Sequence, residues 1–216
     1  PRLVGETGGK DFIFVHPSAN VTEVAVAAYS GAFEYQGQKC SAASRAYIPR
    51  SLWEEFKNEI IKISESVKIG DVADSDNFVN AVIDKASFDN IASYIKKAQS
   101  SNEAEIIFGG ECDDSIGFFV KPTLIHTTNP HFLTMEEEIF GPVLTTYVYE
   151  DDQIEQTLDL CDTTSPYGLT GAVFGQDRVA VAGICNRLRY AAGNFYINDK
   201  PTGAVVGKQP FGGSRG

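Results

Sequence analysis

Histidine is scarce in this 216-residue chain, with three residues at positions 16, 126 and 131, in turn-like settings near Pro17 and Pro130. The four cysteines, Cys40, Cys112, Cys161 and Cys185, include no CxxC pair and no nearby His partner. Together these shortages argue against a zinc site. Cysteines this sparse in a chain of this size read as thiols in a reducing compartment, not as a disulfide framework. No apolar run approaches the ~18 residues of a membrane span, and no segment has the pattern of a signal peptide. Positive charge is also short: 18 Lys and Arg against 29 Asp and Glu leave a formal charge of −11. Non-specific nucleic-acid binding needs a basic face that releases counterions, so no nucleic-acid partner is expected. What the chain does have is 43% hydrophobic residues and 22% charged ones, enough for a substantial packed core.

The apolar residues alternate between helical and strand spacing. Asn20 followed by Glu23 marks a helix start, with Val21, Val24, Ala25, Ala28, Ala32 and Tyr35 on one face. Ser51 and Glu54 form a capping-box pattern ahead of Trp53, Phe56, Ile60 and Ile63. Further helices are predicted through Phe88–Ala98, from about Asp152 to Leu160, and from about Arg178 to Arg189. Strands are predicted at 45–48, 105–108, 118–120, 143–149, 168–174 and 193–197, and at the N-terminal Pro1–Val4. Strands separated by helices of this length predict an α/β fold with a mainly parallel sheet flanked by helices. The 66–82 stretch is the longest loop and is read as a surface excursion.

Three glycine-rich segments carry the candidate chemistry. Gly5-Glu6-Thr7-Gly8-Gly9-Lys10 is one residue short of a phosphate-binding loop and lacks the following Ser or Thr. It leaves Glu6 between glycines, either as an exposed turn residue or as a general base for water. Glu136-Glu137-Glu138-Ile139-Phe140-Gly141-Pro142 puts three carboxylates ahead of a tight turn, where a solvated face is the default and a ribose contact the alternative. Asn194 to Ala204, running on to Pro210-Phe211-Gly212-Gly213, is a strand followed by a polar loop, where α/β folds place ligand contacts. Backbone N–H groups around Gly203 suit a carboxylate.

Cys40 sits in Gln36-Gly37-Gln38-Lys39-Cys40-Ser41-Ala42, just beyond a helix and beside one cation. The segment alone leaves it open between an inert thiol and a reactive one. Cys112 is expected to be exposed among acidic neighbours, and Cys161 and Cys185 to be packed.

These segments, in this order and spacing, resemble the aldehyde dehydrogenase superfamily across the whole of residues 1–216. Glu6 falls in its glutamate motif, Cys40 in its cysteine motif 34 residues on, and Glu138 in its Glu-Ile-Phe-Gly-Pro motif. The runs Phe33–Ala42 and Phe195–Gly207 resemble the branch that oxidises glutamate γ-semialdehyde to glutamate with NAD, although Lys208 stands where that branch has glutamine. The resemblance implies Cys40 as nucleophile and Glu6 as base. It implies Glu138 and Phe140 at the nicotinamide ribose, Ser41, Gly203 and Ala204 on the substrate carboxylate, and Phe211 in the aldehyde pocket.

The resemblance also implies that residues 1–216 are the cysteine-bearing catalytic domain of a longer homo-oligomeric enzyme, cytoplasmic or in the mitochondrial matrix. The NAD-binding domain and the oligomerisation segment would then lie outside this chain, which is expected to bind NAD weakly or not at all. CoA-acylating relatives do without a hydrolytic base, so Glu6 speaks against them.

Overall fold

The structure, a computed structural model, describes residues 8–205 and 207–215. The strand expected at Pro1–Val4 and the candidate base Glu6 lie outside the described residues. The elements run β1 (Asp11–Val15), α1 (Val21–Phe33), β2 (Ala43–Pro49), α2 (Arg50–Ser66), α3 (Lys85–Gln99) and β3 (Ala104–Phe108). Next come the short pair β4 (Cys112–Asp113) and β5 (Phe119–Val120), then β6 (Thr123–Thr127), α4 (Leu133–Glu136) and β7 (Val143–Tyr149). The chain continues through α5 (Ile154–Thr163), β8 (Thr170–Phe174), α6 (Arg178–Arg187) and β9 (Asn194–Ile197).

Seven strands form one sheet in the order β3-β6-β7-β2-β1-β8-β9. All neighbours pair parallel except β3, which pairs antiparallel with β6 at the edge. Every residue of β1 is buried, as expected for a strand covered by helices on both faces. Phe12 and Phe14 face a core built with α3, α5 and α6. Ile13 and Val15 face the opposite core, against α1 and α2. The period-2 alternation of β1 therefore feeds two cores at once.

Helix α1 can lie close to the sheet because Ala25, Ala28 and Ala32 expose no surface. Tyr29 and Phe33, one turn apart, meet edge-to-face at 4.8 Å beside them. Its start is as predicted: Asn20 Oδ1 accepts the Glu23 N–H at 3.2 Å.

The capping box expected at Ser51 does not form. Helix α2 begins two residues earlier, behind Pro49, and the Ser51 N–H donates to Asp151 Oδ1 at 3.0 Å. A carboxylate 100 residues away in sequence takes the Ser51 N–H that the Glu54 side chain was expected to accept locally. Three strands, β1, β4 and β6, are additional to the sequence expectation; β1 and β6 are five residues long and β4 two.

One buried cation ties these layers together. The Arg45 side chain on β2 is inaccessible to solvent and donates from Nε to the Lys10 carbonyl at 2.9 Å. Its Nη1 donates to Tyr47 Oη and to the Cys161 carbonyl, both at 2.9 Å. The guanidinium also lies over the Phe12 ring, 5.7 Å from its centroid. Arg45→Met keeps the packing volume but leaves two buried carbonyls and a phenol without this donor. We expect it to cost about 3 kcal/mol in urea unfolding; a change below about 0.5 kcal/mol would show that the guanidinium is dispensable.

Candidate active site

The candidate residues gather at the amino ends of the strands. Cys40 precedes β2, the Gly8–Gly9 pair precedes β1, and Glu138 to Gly141 precede β7. These three strands are neighbours in the sheet, so their entry loops meet. Ligands in open α/β sheets ordinarily bind at the carboxyl ends, and the position of Cys40 and Glu138 departs from that expectation.

Glycine makes the meeting possible. A Cβ on Gly9 would collide with the carbonyl oxygen of Cys40, and one on Gly8 with the carboxylate of Glu138. The Gly9 N–H donates to Glu138 Oε1 at 2.9 Å. Gly37, at φ +62°, packs against the Gly141 carbonyl, which locks the cysteine loop to the Glu138 loop. A narrow pocket between them is lined by Gly9, Lys39, Ser44, Glu138 and Phe140.

The three consecutive carboxylates part company here. Glu136 pairs with His131 Nδ1 at 2.8 Å, Glu137 accepts from the Tyr94 hydroxyl, and Glu138 turns toward Gly9. Only Glu138 is half-buried against the glycines. Burial raises its carboxyl above the usual range, opposed by the Gly9 N–H and the charge of Lys10. Phe140, two residues on, takes a left-handed conformation (φ 57°) and leaves its ring half-exposed at the rim.

Behind the glycines lie Lys10 and Asp11, both buried, with Lys10 Nζ and Asp11 Oδ2 unpartnered among the described residues. Burial, then Arg45, pushes the Lys10 ammonium down to about 7. Burial pushes the Asp11 carboxyl up to about 7, against its hydrogen bond from the Thr170 N–H at 2.6 Å. Neither had been singled out as a candidate from the sequence. The available signal was a Lys-Asp pair leading into an otherwise apolar strand.

Between α1 and Cys40 the chain makes a short turn, Glu34–Gly37, in which Tyr35 and Gln36 are left-handed at φ 55° and 58°. The 66–82 loop, expected to be a simple surface excursion, holds this turn. Gln36 bonds Asn80 at 3.3 Å, and the Ile83 N–H donates to Gln38 Oε1 at 2.9 Å. A cavity of about 930 Å³ opens between that loop, the turn and Phe140. The correction has a physical cause: a bridge between Ile69 and Val79 folds the loop back on itself and against the cysteine segment. Lys39, the cation beside Cys40, is engaged by Glu34 at 3.2 Å.

The segment after β9 reaches the same place by running backwards. Asn198 exchanges two hydrogen bonds with Gly175 at the carboxyl end of β8. The chain then follows α1 toward its C-terminus, where Lys200 and Pro201 pack on Gly31. Thr202 Oγ1 meets Ser41 Oγ at 2.8 Å in a buried contact. Gly203, at φ +132°, and the half-buried Ala204 follow directly.

Phe211 arrives on a separate segment. Asn194 binds the Pro210 carbonyl and the Gly212 N–H, which sets this segment at the amino end of β9, two strands from β1. The structure thus joins Cys40, Ser41, Glu138 and Phe140, ties Gly203 and Ala204 to them through Thr202, and places Phe211 on a separate segment.

The other thiols differ in setting. Cys161 is fully buried and pushed by burial up to about 12. Cys112 is half-buried rather than exposed, and burial outweighs Glu111 in raising it. Cys185 is partly buried rather than fully packed, and is likewise raised by burial.

The description of the aldehyde dehydrogenase family matches residues 1–216 without remainder. The chain belongs to this family. It is 60% identical over 215 residues to the mitochondrial Δ1-pyrroline-5-carboxylate dehydrogenase of Dictyostelium discoideum, and 53% identical over 216 residues to the human protein of that name. Both alignments cover 100% of this chain and 38% of the relative, so the chain spans about two fifths of their length. A crystal structure of the Mycobacterium tuberculosis Δ-pyrroline-5-carboxylate dehydrogenase bound with NAD superposes with a TM-score of 0.92 at 50% identity. That match covers 100% of this chain and 39% of the other. The α/β sandwich is therefore an aldehyde dehydrogenase domain. Among the described residues no helix is long and apolar enough to cross a membrane.

Two outcomes follow from the glycine contacts and the buried pair. Gly9→Ala should lower thermal stability by about 2 kcal/mol or more, because the colliding partner is backbone; Gly212→Ala, with open space around it, should change it little. Comparing the two melting curves decides this. Asp11→Asn keeps the oxygen that accepts from Thr170 and removes a carboxyl whose folded pKa exceeds its unfolded one. Such a group contributes stability that is fully present below about pH 4 and lost as pH rises toward 7. The melting-temperature advantage of Asp11→Asn over wild type should therefore grow between pH 4 and 7; a constant difference would refute the assignment.

Proposed function

We propose that residues 1–216 form the cysteine-bearing catalytic domain of a Δ1-pyrroline-5-carboxylate dehydrogenase, which oxidises glutamate γ-semialdehyde to glutamate with NAD. The observation that carries this reading is the Gly8–Gly9 wedge, which brings the Cys40 backbone and the Glu138 carboxylate against one two-residue segment. The names of the relatives support the substrate and the cofactor.

Cys40 is the nucleophile: its sulfur bonds the aldehyde carbon to give a thiohemiacetal, and a thioester remains once hydride has left that carbon. The developing oxyanion is met by the Cys40 backbone N–H, a kind of donor whose removal elsewhere costs roughly 3–4 kcal/mol in kcat. Glu6 takes a proton from the water that hydrolyses the thioester, which releases glutamate and the thiol.

Ser41, Gly203 and Ala204 hold the substrate's α-carboxylate, and Phe211 closes the aldehyde pocket. Glu138 and Phe140 fit the nicotinamide-ribose end of NAD: a half-buried carboxylate and, two residues on, a half-exposed ring that borders a large cavity. NAD bound there supplies the hydride acceptor. The adenosine contacts and the oligomerisation segment belong to the remainder of the parent enzyme, which we take to be a homo-oligomer in the cytoplasm or the mitochondrial matrix.

In the full-length protein, Cys40→Ala should reduce NADH formation from pyrroline-5-carboxylate by about a thousandfold or more. Glu6→Gln should leave a rapid first turnover followed by slow release, seen as a burst in stopped-flow absorbance. Wild-type rates in Cys40→Ala, or a steady state without a burst in Glu6→Gln, would refute the respective role.

A further inference from the structure

We propose that Glu34 is a positioning residue that couples the cysteine loop to the loop gripping the substrate's carboxylate. The inference rests on the function proposed above and adds to it a residue outside the assigned site.

Glu34 caps the end of α1, six residues before Cys40. Its Oε1 lies 3.2 Å from Lys39 Nζ, on the residue next to the nucleophile. Its Oε2 binds Lys200 Nζ, three residues before Gly203. One carboxylate therefore holds a cation from each of the two loops that must act together on a single substrate. Burial alone would raise this carboxyl, yet Lys200 and Lys39 together hold it below its ordinary range, in keeping with a carboxylate that serves both cations.

Two further contacts show that the loops meet along a built seam. Gly31 lacks the Cβ that would press on Lys200 Cβ and Pro201 Cδ, so the 199–202 segment lies directly on α1. Beyond it, the buried Ser41–Thr202 contact joins the residue after Cys40 to the residue before Gly203. The Glu34 link and the Ser41–Thr202 link thus bracket Cys40, through Lys39 and Ser41, and both anchor the residues just ahead of Gly203. Gly203 itself, at φ +132°, sits in a conformation that local chain preference does not impose on a longer side chain. Its placement depends on what anchors the residues before it.

A substrate with a carboxylate at one end and an aldehyde at the other measures the distance between these loops. An uncharged aldehyde does not. Loss of Glu34 should therefore fall on the first substrate and spare the second. A part-exposed ion pair contributes modestly, so the expected change is a rise of about fivefold in KM for glutamate γ-semialdehyde. By the same reasoning kcat should stay within about twofold, because the thiol and the base are untouched.

The test uses the full-length enzyme with two substrates, glutamate γ-semialdehyde and propanal, and the variants Glu34→Gln, Lys200→Met and the double variant. Each single variant should raise KM for the semialdehyde about fivefold and leave kcat/KM for propanal unchanged; the double variant should be no worse than either single one. Equal losses on both substrates would assign Glu34 a merely structural role and overturn the coupling, as would single effects that multiply in the double variant. A wild-type enzyme that turns over propanal but not the semialdehyde would instead refute the proposed substrate, and the coupling with it. A wild type that prefers the semialdehyde, with Glu34→Gln indifferent to the substrate, would refute the coupling alone.

Discussion

The site depends on the absence of a side chain at residue 9. Two backbone segments, one from each of two neighbouring strand entries, lie closer there than any Cβ would allow. That closeness lets one N–H reach Glu138 while the same residue touches the carbonyl of Cys40. Arg45 supports the arrangement, because one of the two carbonyls it binds belongs to Lys10, the next residue along. A buried guanidinium with three neutral acceptors fixes where β1 begins, and the start of β1 fixes the glycine. The candidate chemistry is thus positioned by backbone, and the backbone is positioned by one cation that takes no part in it.

This helps explain why a site at the amino ends of a parallel sheet is workable. The usual carboxyl-end location exploits helix N-termini, which favour anions. Here α1 arrives with its C-terminal end, so the local helix offers no such help. The needed groups come instead from loops that have been bent or brought back. The segment after β9 travels the length of α1 to place Gly203 and Ala204, and the 66–82 loop folds over so that its Asn80 and the adjoining Ile83 hold Gln36 and Gln38. Both detours are secured by side-chain contacts between residues far apart in sequence.

Much of the fold could be read from local pattern. The alternation of helix and strand, the Asn20 cap and the apolar face of α3 each follow from periodicity and end chemistry. The capping box at Ser51 could not be judged locally, since Asp151 supplies the competing oxygen from another strand's end. Length does not explain why β1 and β6 escaped the pattern, since β3 and β8 are also five residues long; β6 carries three polar residues in five, and β1 opens directly behind the glycine-rich loop. For the site, the family resemblance picked out Cys40, Ser41, Glu138 and Phe140, which the fold brings together. Lys10, Asp11 and Arg45 were silent, because a charged residue in a sequence does not announce that it is buried. The role of the 66–82 loop was equally hidden, as its contacts fall on side chains that local propensity treats as solvent-facing.

The left-handed turn before Cys40 has a consequence for how this segment can vary. Tyr35 and Gln36 adopt a backbone that β-branched residues resist most strongly and that Gly, Asn and Asp tolerate. A library randomised at these two positions and selected for folded protein should be rich in the latter and almost devoid of valine, isoleucine and threonine. Side-chain chemistry within reach of the nucleophile is then restricted by the curvature of the chain before any question of reactivity arises. The turn acts as a filter on which amino acids evolution can offer there.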